Sequence, residues 1–364
     1  MKRILMAALT AALVLSAASA AFAGDKVRVA FALLETINDQ GWTASHYAGI
    51  EQLKKELGDK VEVSYTENVM SPADSERVIR SYAQQGYDIV FGTTFTHMDA
   101  MYKVAGEFPK VKFMHCAGYK TRPNMGTYMI RIEQTEYLAG YLAGLMGYKN
   151  VGTVATQPIP EVVRGINAFT LGLLRGLGEA KATHDPAKVN TVVWLKAWRD
   201  PVNETTLAET LAGRGHDLIR QMADTPDSAK AACAKGVAAV GYCDDVARYG
   251  ADCALVSTVF HWGRVYVDQV RKVLDGTWKP VEYFGGMEDG VVGLSPFGKA
   301  VPQAVRDKVQ AVAARMEKGQ DESFAGPILD QSGKERIAAG QKASDKDLLT
   351  MQWFVKGVGG KLPN

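Results

Sequence analysis

The sequence predicts an α/β protein built as two doubly wound parallel-sheet lobes joined by hinge strands. Short apolar runs alternate with helical stretches almost without a break, and the alternation restarts once, giving two βαβ sets of similar length. At 364 residues the chain is too long for one core and comfortable for two. Short, wholly apolar strands between helices belong to a sheet covered on both faces, which is a parallel sheet.

Taken in order, "KVRVAFALL" is the first strand and a helix runs from Trp42 to about Leu57. "KVEVSYTEN" follows, then a helix opened by "SPADSE", where Ser71 is the N-cap, Pro72 sits at N1 and Asp74 is the capping-box acid. "YDIVFGTT" and "KVKFMHC" are further strands, separated by a helix after Thr96. Pro and Gly interrupt the periodicity over Gly118–Arg131, which places a junction there. The second set pairs "NVGTVAT" with "PEVVRGINAFTLGLLRGL", "TVVWLKAW" with "PVNETTLAETLAGRG" and "HDLIRQMA" with "DTPDSAKAACAKG", and closes with "VAAVGYC" and "CALVSTVF". A stretch beginning "DGTWKPVEYFGG" then crosses back, with a helix from about Pro302. These readings divide the chain into a leader over 1–23, a first lobe over 24–130 with a return segment from about 277–364, and a second lobe over 131–276.

The leader reads as an export signal. Lys2 and Arg3 precede the apolar run "ILMAALTAALVL", and "AFA" ending at Ala23 satisfies the small-x-small cleavage rule. No Cys follows the cleavage point, so no lipid anchor is expected, and the mature chain is expected in the periplasm. The leader carries two of the 42 basic residues and none of the 40 acidic ones, which leaves the mature chain formally neutral. A neutral chain is a poor match for nucleic acid, which needs a basic surplus on one face. Export permits a disulfide among Cys116, Cys233, Cys243 and Cys253, with existence and pairing left open, and their spacing matches no zinc pattern.

In open parallel sheets ligands bind beyond the carboxyl ends of the strands. The loops there are "ETINDQGW", "TTFTHMD", "TQPIPEV", "AWRDP", "YCDD" and "VFHWG". They gather Trp42, Trp198 and Trp262, three of the chain's six Trp, with Phe95 beside them and the carboxylates Glu161, Asp200, Asp244 and Asp245. Any one Trp is more simply a core staple, as Trp194 within its strand is. A set at one sheet edge instead suits a planar heteroaromatic ligand, stacked between rings and oriented by carboxylates. There is no phosphate loop, no GxSxG elbow and no HExxH. "NDQGW" reads as a capped turn, His97 and His115 offer at most a minor case for metal or base chemistry, and no cofactor is called for.

Four stretches, "NDQGWTASHYAG", "IRIEQTEYLAGYLAG", "VGTVATQPIPEVVRGINAFTLGLLRG" and "AWRDPVNETTLAETL", together resemble the basic membrane protein family, the purine nucleoside receptor A-like proteins. The resemblance runs over essentially the whole mature chain. It implies the type I periplasmic binding fold, no enzymatic activity, an ABC permease as partner, and a monomeric receptor for a purine base or nucleoside. "INDQGWT" is similar to the family's F-N-D-x-S-F-N, which puts Trp42 and Thr43 at the first stacking aromatic and its neighbour. "AWRDP" is similar to S-F-x-D-P, which puts Trp198 at the second. The family's V-D-S-D-Q stands here as "YCDDV", keeping only Asp245, and its Lys is missing near Trp262. The loss of these ribose-holding groups implies a bare base such as adenine. The site expected is therefore Trp42, Thr43, Phe95, Glu161, Trp198, Asp245 and Trp262. Two alternatives stand beside it: a secreted nucleosidase using Asp39 or Glu35 as base, and a sugar receptor of the same fold.

Overall fold

The computed structural model describes residues 26–363; the export signal expected over 1–23 lies outside the described residues. The first sheet holds β1 (Val27–Ala32), β2 (Val61–Thr66), β3 (Ile89–Gly92), β4 (Lys112–Cys116) and β5 (Met125–Ile130). The second holds β6 (Val151–Ala155), β7 (Lys188–Trp194), β8 (Leu218–Met222), β9 (Ala238–Gly241) and β10 (Ala254–Phe260). After these come β11 (Glu282–Gly285), β12 (Val292–Leu294), a small hairpin of β13 (Ile328–Leu329) and β14 (Glu335–Ile337), and β15 (Gly357–Gly359). The first sheet runs β11-β5-β4-β3-β1-β2 and the second β12-β10-β9-β8-β6-β7-β15, parallel throughout except for the antiparallel β12. Strands β3, β5, β6 and β8 are buried along their whole length, as strands between two helical layers must be; β8 carries Arg220 into that burial, paired with Glu136.

The helices are α1 (Trp42–Leu57), α2 (Pro72–Gln84), α3 (Met98–Glu107), α4 (Ile132–Leu145), α5 (Pro160–Glu179), α6 (Pro201–Gly213), α7 (Asp227–Ala234), α8 (Trp262–Leu274), α9 (Gln303–Met316) and α10 (Asp345–Leu349). None of them is long and apolar enough to cross a membrane. Helix α2 starts as its sequence dictates: the Ser71 hydroxyl accepts from the Asp74 N–H at 3.0 Å, with Pro72 at N1. Asp74 answers through the Ser71 hydroxyl (2.7 Å). Asp200 caps α6 in the same manner, accepting from the Asn203 N–H at 3.1 Å. A disulfide joins Cys233 at the end of α7 to Cys253, while Cys116 and Cys243 are free and buried. Trp194 stacks on Phe354 of the C-terminal segment and is only partly buried.

Helices α4 and α5 are in backbone contact. A Cβ at Gly140 or Gly144 would run into the carbonyl oxygens of Phe169 and Leu173, and one at Gly172 or Gly176 into those of Tyr137 and Tyr141. The pair is also tied near its N-terminal ends, where Arg164 Nε donates to Glu133 at 3.0 Å, both residues fully buried.

The lobe boundaries differ from those expected. Helix α8 leaves the second sheet after β10 but packs on α1, under the first sheet, because its buried face (Trp262, Val265, Tyr266, Val270) completes that core. Only β11 of the return segment joins the first sheet; β12 and β15 go back to the second. The chain therefore crosses between lobes three times, at Arg131, at His261 and over residues 286–291.

Candidate functional site

The loops at the carboxyl ends of the two sheets face each other, and the side chains they carry form one cavity. Trp42 begins α1, whose first turn is held by Asp39. The Asp39 carboxylate accepts from the N–H groups of Gly41 (2.9 Å), Thr43 (2.7 Å) and Ala44 (2.8 Å). The "NDQGW" loop is thus a capped turn that fixes the Trp. The Trp42 indole N–H donates to the Thr93 carbonyl at 2.9 Å, and its ring meets His46, Phe260 and Trp262 edge-on. Trp42 is both a staple of the core and a wall of the cavity. Phe95 follows β3, Glu161 lies in the first turn of α5, and Trp198 precedes α6; all three line the same cavity.

Two residues of this cavity were not singled out from the sequence. Asp224, in the loop after β8, is buried, lines the cavity and has no hydrogen-bonded side-chain partner among the described residues. Tyr242, after β9, closes the wall and donates from its hydroxyl to Glu161 Oε1 at 3.1 Å. Asp224 sits in "MADTPD", which reads as the start of a helix. Its position at the carboxyl end of a strand was the signal that could have found it.

Three expected residues lie elsewhere. Thr43 is fully buried and turns inward, where its hydroxyl accepts from the Glu35 N–H at 3.2 Å, because the helix start carries it to the core side. Trp262 is fully buried under α1, stacked on His46 (ring centroids 4.4 Å apart) with its N–H on Ser45. It opens a helix that belongs to the first lobe's core and not to the cavity wall. Asp245 caps the short turn over Val246–Tyr249, accepting from the Ala247 N–H at 3.3 Å, and lines a separate surface pocket with Ser295 and Lys299.

Burial dominates the electrostatics. It pushes the Asp224 carboxyl well above the usual carboxylate range, helped by the neighbouring charges of Asp39, Glu204, Glu161 and Glu35. Burial also raises Glu161, against the pull of Arg164, and raises Asp39 despite its three N–H donors. A carboxyl held protonated can donate and accept at once, which suits an edge carrying a ring nitrogen beside an amine. His97 and His115 are buried, each with Nε2 on a backbone carbonyl, and are pushed down to about 4 and about 3 by burial. No cluster of three metal-ligating side chains occurs among the described residues.

The lobes are drawn together over this cavity. The Trp42 N–H donates across the cleft to the Asp224 carbonyl oxygen at 3.2 Å, and Lys230 Nζ reaches Gln40 at 2.8 Å. The enclosed space is about 20 Å³, room for one or two waters, so anything larger enters only when the lobes part.

Two sheets flanked by helices, three crossings and a closed aromatic cavity between lobes define a two-lobed solute-binding protein of the type I periplasmic binding class. The chain belongs to the Bmp family, described as ABC transporter substrate-binding protein PnrA-like, whose profile matches residues 26–321. It is 39% identical to a purine-binding protein of Brucella abortus over 94% of this chain and 96% of that one. It is 37% identical to a Haloferax volcanii protein provisionally named an ABC transporter glucose-binding protein, over 94% of this chain and 82% of that one. The fold matches a solute-binding protein of Aeropyrum pernix at a TM-score of 0.69 with 16% identity, covering 83% of this chain and 92% of that chain.

Proposed function

We propose that this protein captures a purine base in the periplasm and hands it to an ABC permease for import. The observation that carries the reading is the meeting of Trp42, Phe95, Trp198 and Tyr242 with two burial-raised carboxyls, Glu161 and Asp224, in one cavity between the lobes. Aromatic faces stack on a base for about 1–3 kcal/mol each. The protonated Asp224 would give its O–H to a ring nitrogen and accept from an exocyclic amine, a two-point match to adenine that stacking lacks. The purine-binding relative in Brucella abortus, similar over nearly the whole chain, supports the same ligand class.

The arguments for a base over its nucleoside shift ground. Thr43 and Trp262 face the core, so their identities say nothing of a ribose. What favours the base is the tightness of the aromatic cavity. A nucleosidase reading loses one of its two candidate bases: both Asp39 oxygens are taken by backbone N–H groups. The sugar reading rests on the name of the Haloferax volcanii relative.

Mass spectrometry of the ligand that co-purifies, followed by calorimetric titration with adenine, adenosine and glucose, tests the proposal. Adenine binding at micromolar or better is the expected result. Binding of glucose without adenine overturns it.

A further inference from the structure

A second, larger cavity opens beside the aromatic one, at the hinge. It is about 360 Å³, within the range of small-molecule sites, and it shares Phe95, Ala117, Ile159 and Glu161 with the aromatic cavity. The two spaces are compartments on either side of the Glu161 carboxyl. Ala117 at their boundary is held at a φ of +61°, a left-handed conformation that costs a non-glycine residue energy and that persists where the surroundings impose it. Met129 and Phe284 form the hinge cavity's apolar wall, and Leu349 of α10 roofs it from the C-terminal segment.

The chemistry of this wall selects among substituents. The one cation lining the cavity, Arg164, already gives Nε to Glu133 at 3.0 Å and Nη2 to the Ile130 carbonyl at 3.3 Å. With Glu161 and Glu282 also in the lining, the cavity is hostile to a phosphate. Its one buried hydroxyl is that of Thr127, and most of the remaining wall, over Ile159, Met129, Phe284 and Leu349, is apolar. Resting on the purine reading above, we infer that the hinge cavity is a substituent compartment, and that the preferred ligand is a purine carrying one apolar alkyl or aryl group. The ring stacks in the aromatic compartment, Glu161 stands at the passage, and the apolar group lies against Met129, Phe284 and Leu349.

Titration of the full-length mature protein with adenine, N6-benzyladenine, 9-benzyladenine and adenosine tests this, with Leu349→Trp as the variant. Leu349 is partly exposed and lines only the hinge cavity, so the larger ring fills that compartment without touching the aromatic one. One of the benzylated bases binds about tenfold or more tighter than adenine, and Leu349→Trp removes that gain while leaving adenine affinity unchanged. If adenine binds and both benzylated bases bind no better, the inference is overturned while the purine reading stands. Adenosine binding tighter than both also overturns it, by assigning the compartment to a sugar. If none of the four binds, the purine reading falls and this inference with it.

Discussion

The backbone N–H of Trp42 donates to the carbonyl oxygen of Asp224 at 3.2 Å, and this bond runs from the first lobe to the second. It places Trp42 and the buried acid Asp224 of the cavity wall side by side, and it spans the cleft. Gly41 makes the contact possible, because a Cβ there would run into the same carbonyl oxygen. Gly41→Ala is therefore expected to hold the lobes apart. Adenine affinity falls by about 1–3 kcal/mol, and the ligand-induced decrease in radius of gyration seen by solution scattering shrinks. A variant that contracts like the parent shows that this contact does not govern closure.

The two tryptophans are expected to behave differently. Trp198 is half-buried at the lip of the cavity, so Trp198→Ala weakens adenine binding by about 1–3 kcal/mol with little change in stability. Trp42 also anchors His46, Phe260 and Trp262. Trp42→Ala loses binding and about 3–5 kcal/mol of stability as well. Paired calorimetric and urea-unfolding measurements separate the two; equal stability losses would contradict the assignment of Trp198 to the rim.

Asp224 provides a pH test. Burial raises its pKa, so the protonated acid is the binding form, and affinity for adenine declines as pH rises through that raised value. Asp224→Asn keeps a donor and an acceptor and loses the alkaline decline; Asp224→Ala loses about 1–3 kcal/mol of affinity below that value, and the deficit shrinks above it. A wild-type affinity that strengthens toward alkaline pH would show that the ionised form binds.

Glu204 makes a stability prediction outside the cavity. Fully buried in the first turn of α6 and bonded by the Thr225 hydroxyl at 2.9 Å, it is pushed up to about 8 by burial. Its folded pKa exceeds its unfolded value, so the native state holds the extra proton between them and stability falls as pH rises across that window. One such group contributes about 1.4 kcal/mol per pH unit. Glu204→Gln removes this slope, so the variant's advantage in urea unfolding grows from about pH 5 to about pH 8 and then levels off. A constant difference across the window would mean that Glu204 is ionised throughout.

The alternation of strand and helix was legible because strands buried on both faces are mostly apolar, with few polar residues such as Arg220 and Gln221 among them. Trp42, Phe95, Glu161 and Trp198 were legible for a related reason: a parallel sheet fixes which loops face the ligand. Trp262 misled because the residue after a strand also starts a helix, and only the packing of α8 on α1 shows that this strand's successor leaves its own lobe. Asp224 escaped notice because Asp before Thr-Pro is also good capping chemistry. Its role follows from burial without a partner, which one-dimensional pattern does not carry.

Helices α4 and α5, locked backbone to backbone through Gly140, Gly144, Gly172 and Gly176, make a stiff lever. Its α4 half starts at Arg131, where the chain first passes between lobes, and its α5 half carries Glu161 in the first turn at that same end, with Arg164 bonded to Glu133 beside it. A rod with no soft layer between its halves cannot absorb rotation along its length. Whatever angle the hinge turns at Arg131 is passed directly to the Glu161 carboxyl beside it, and a ligand that pushes on Glu161 pushes on the hinge.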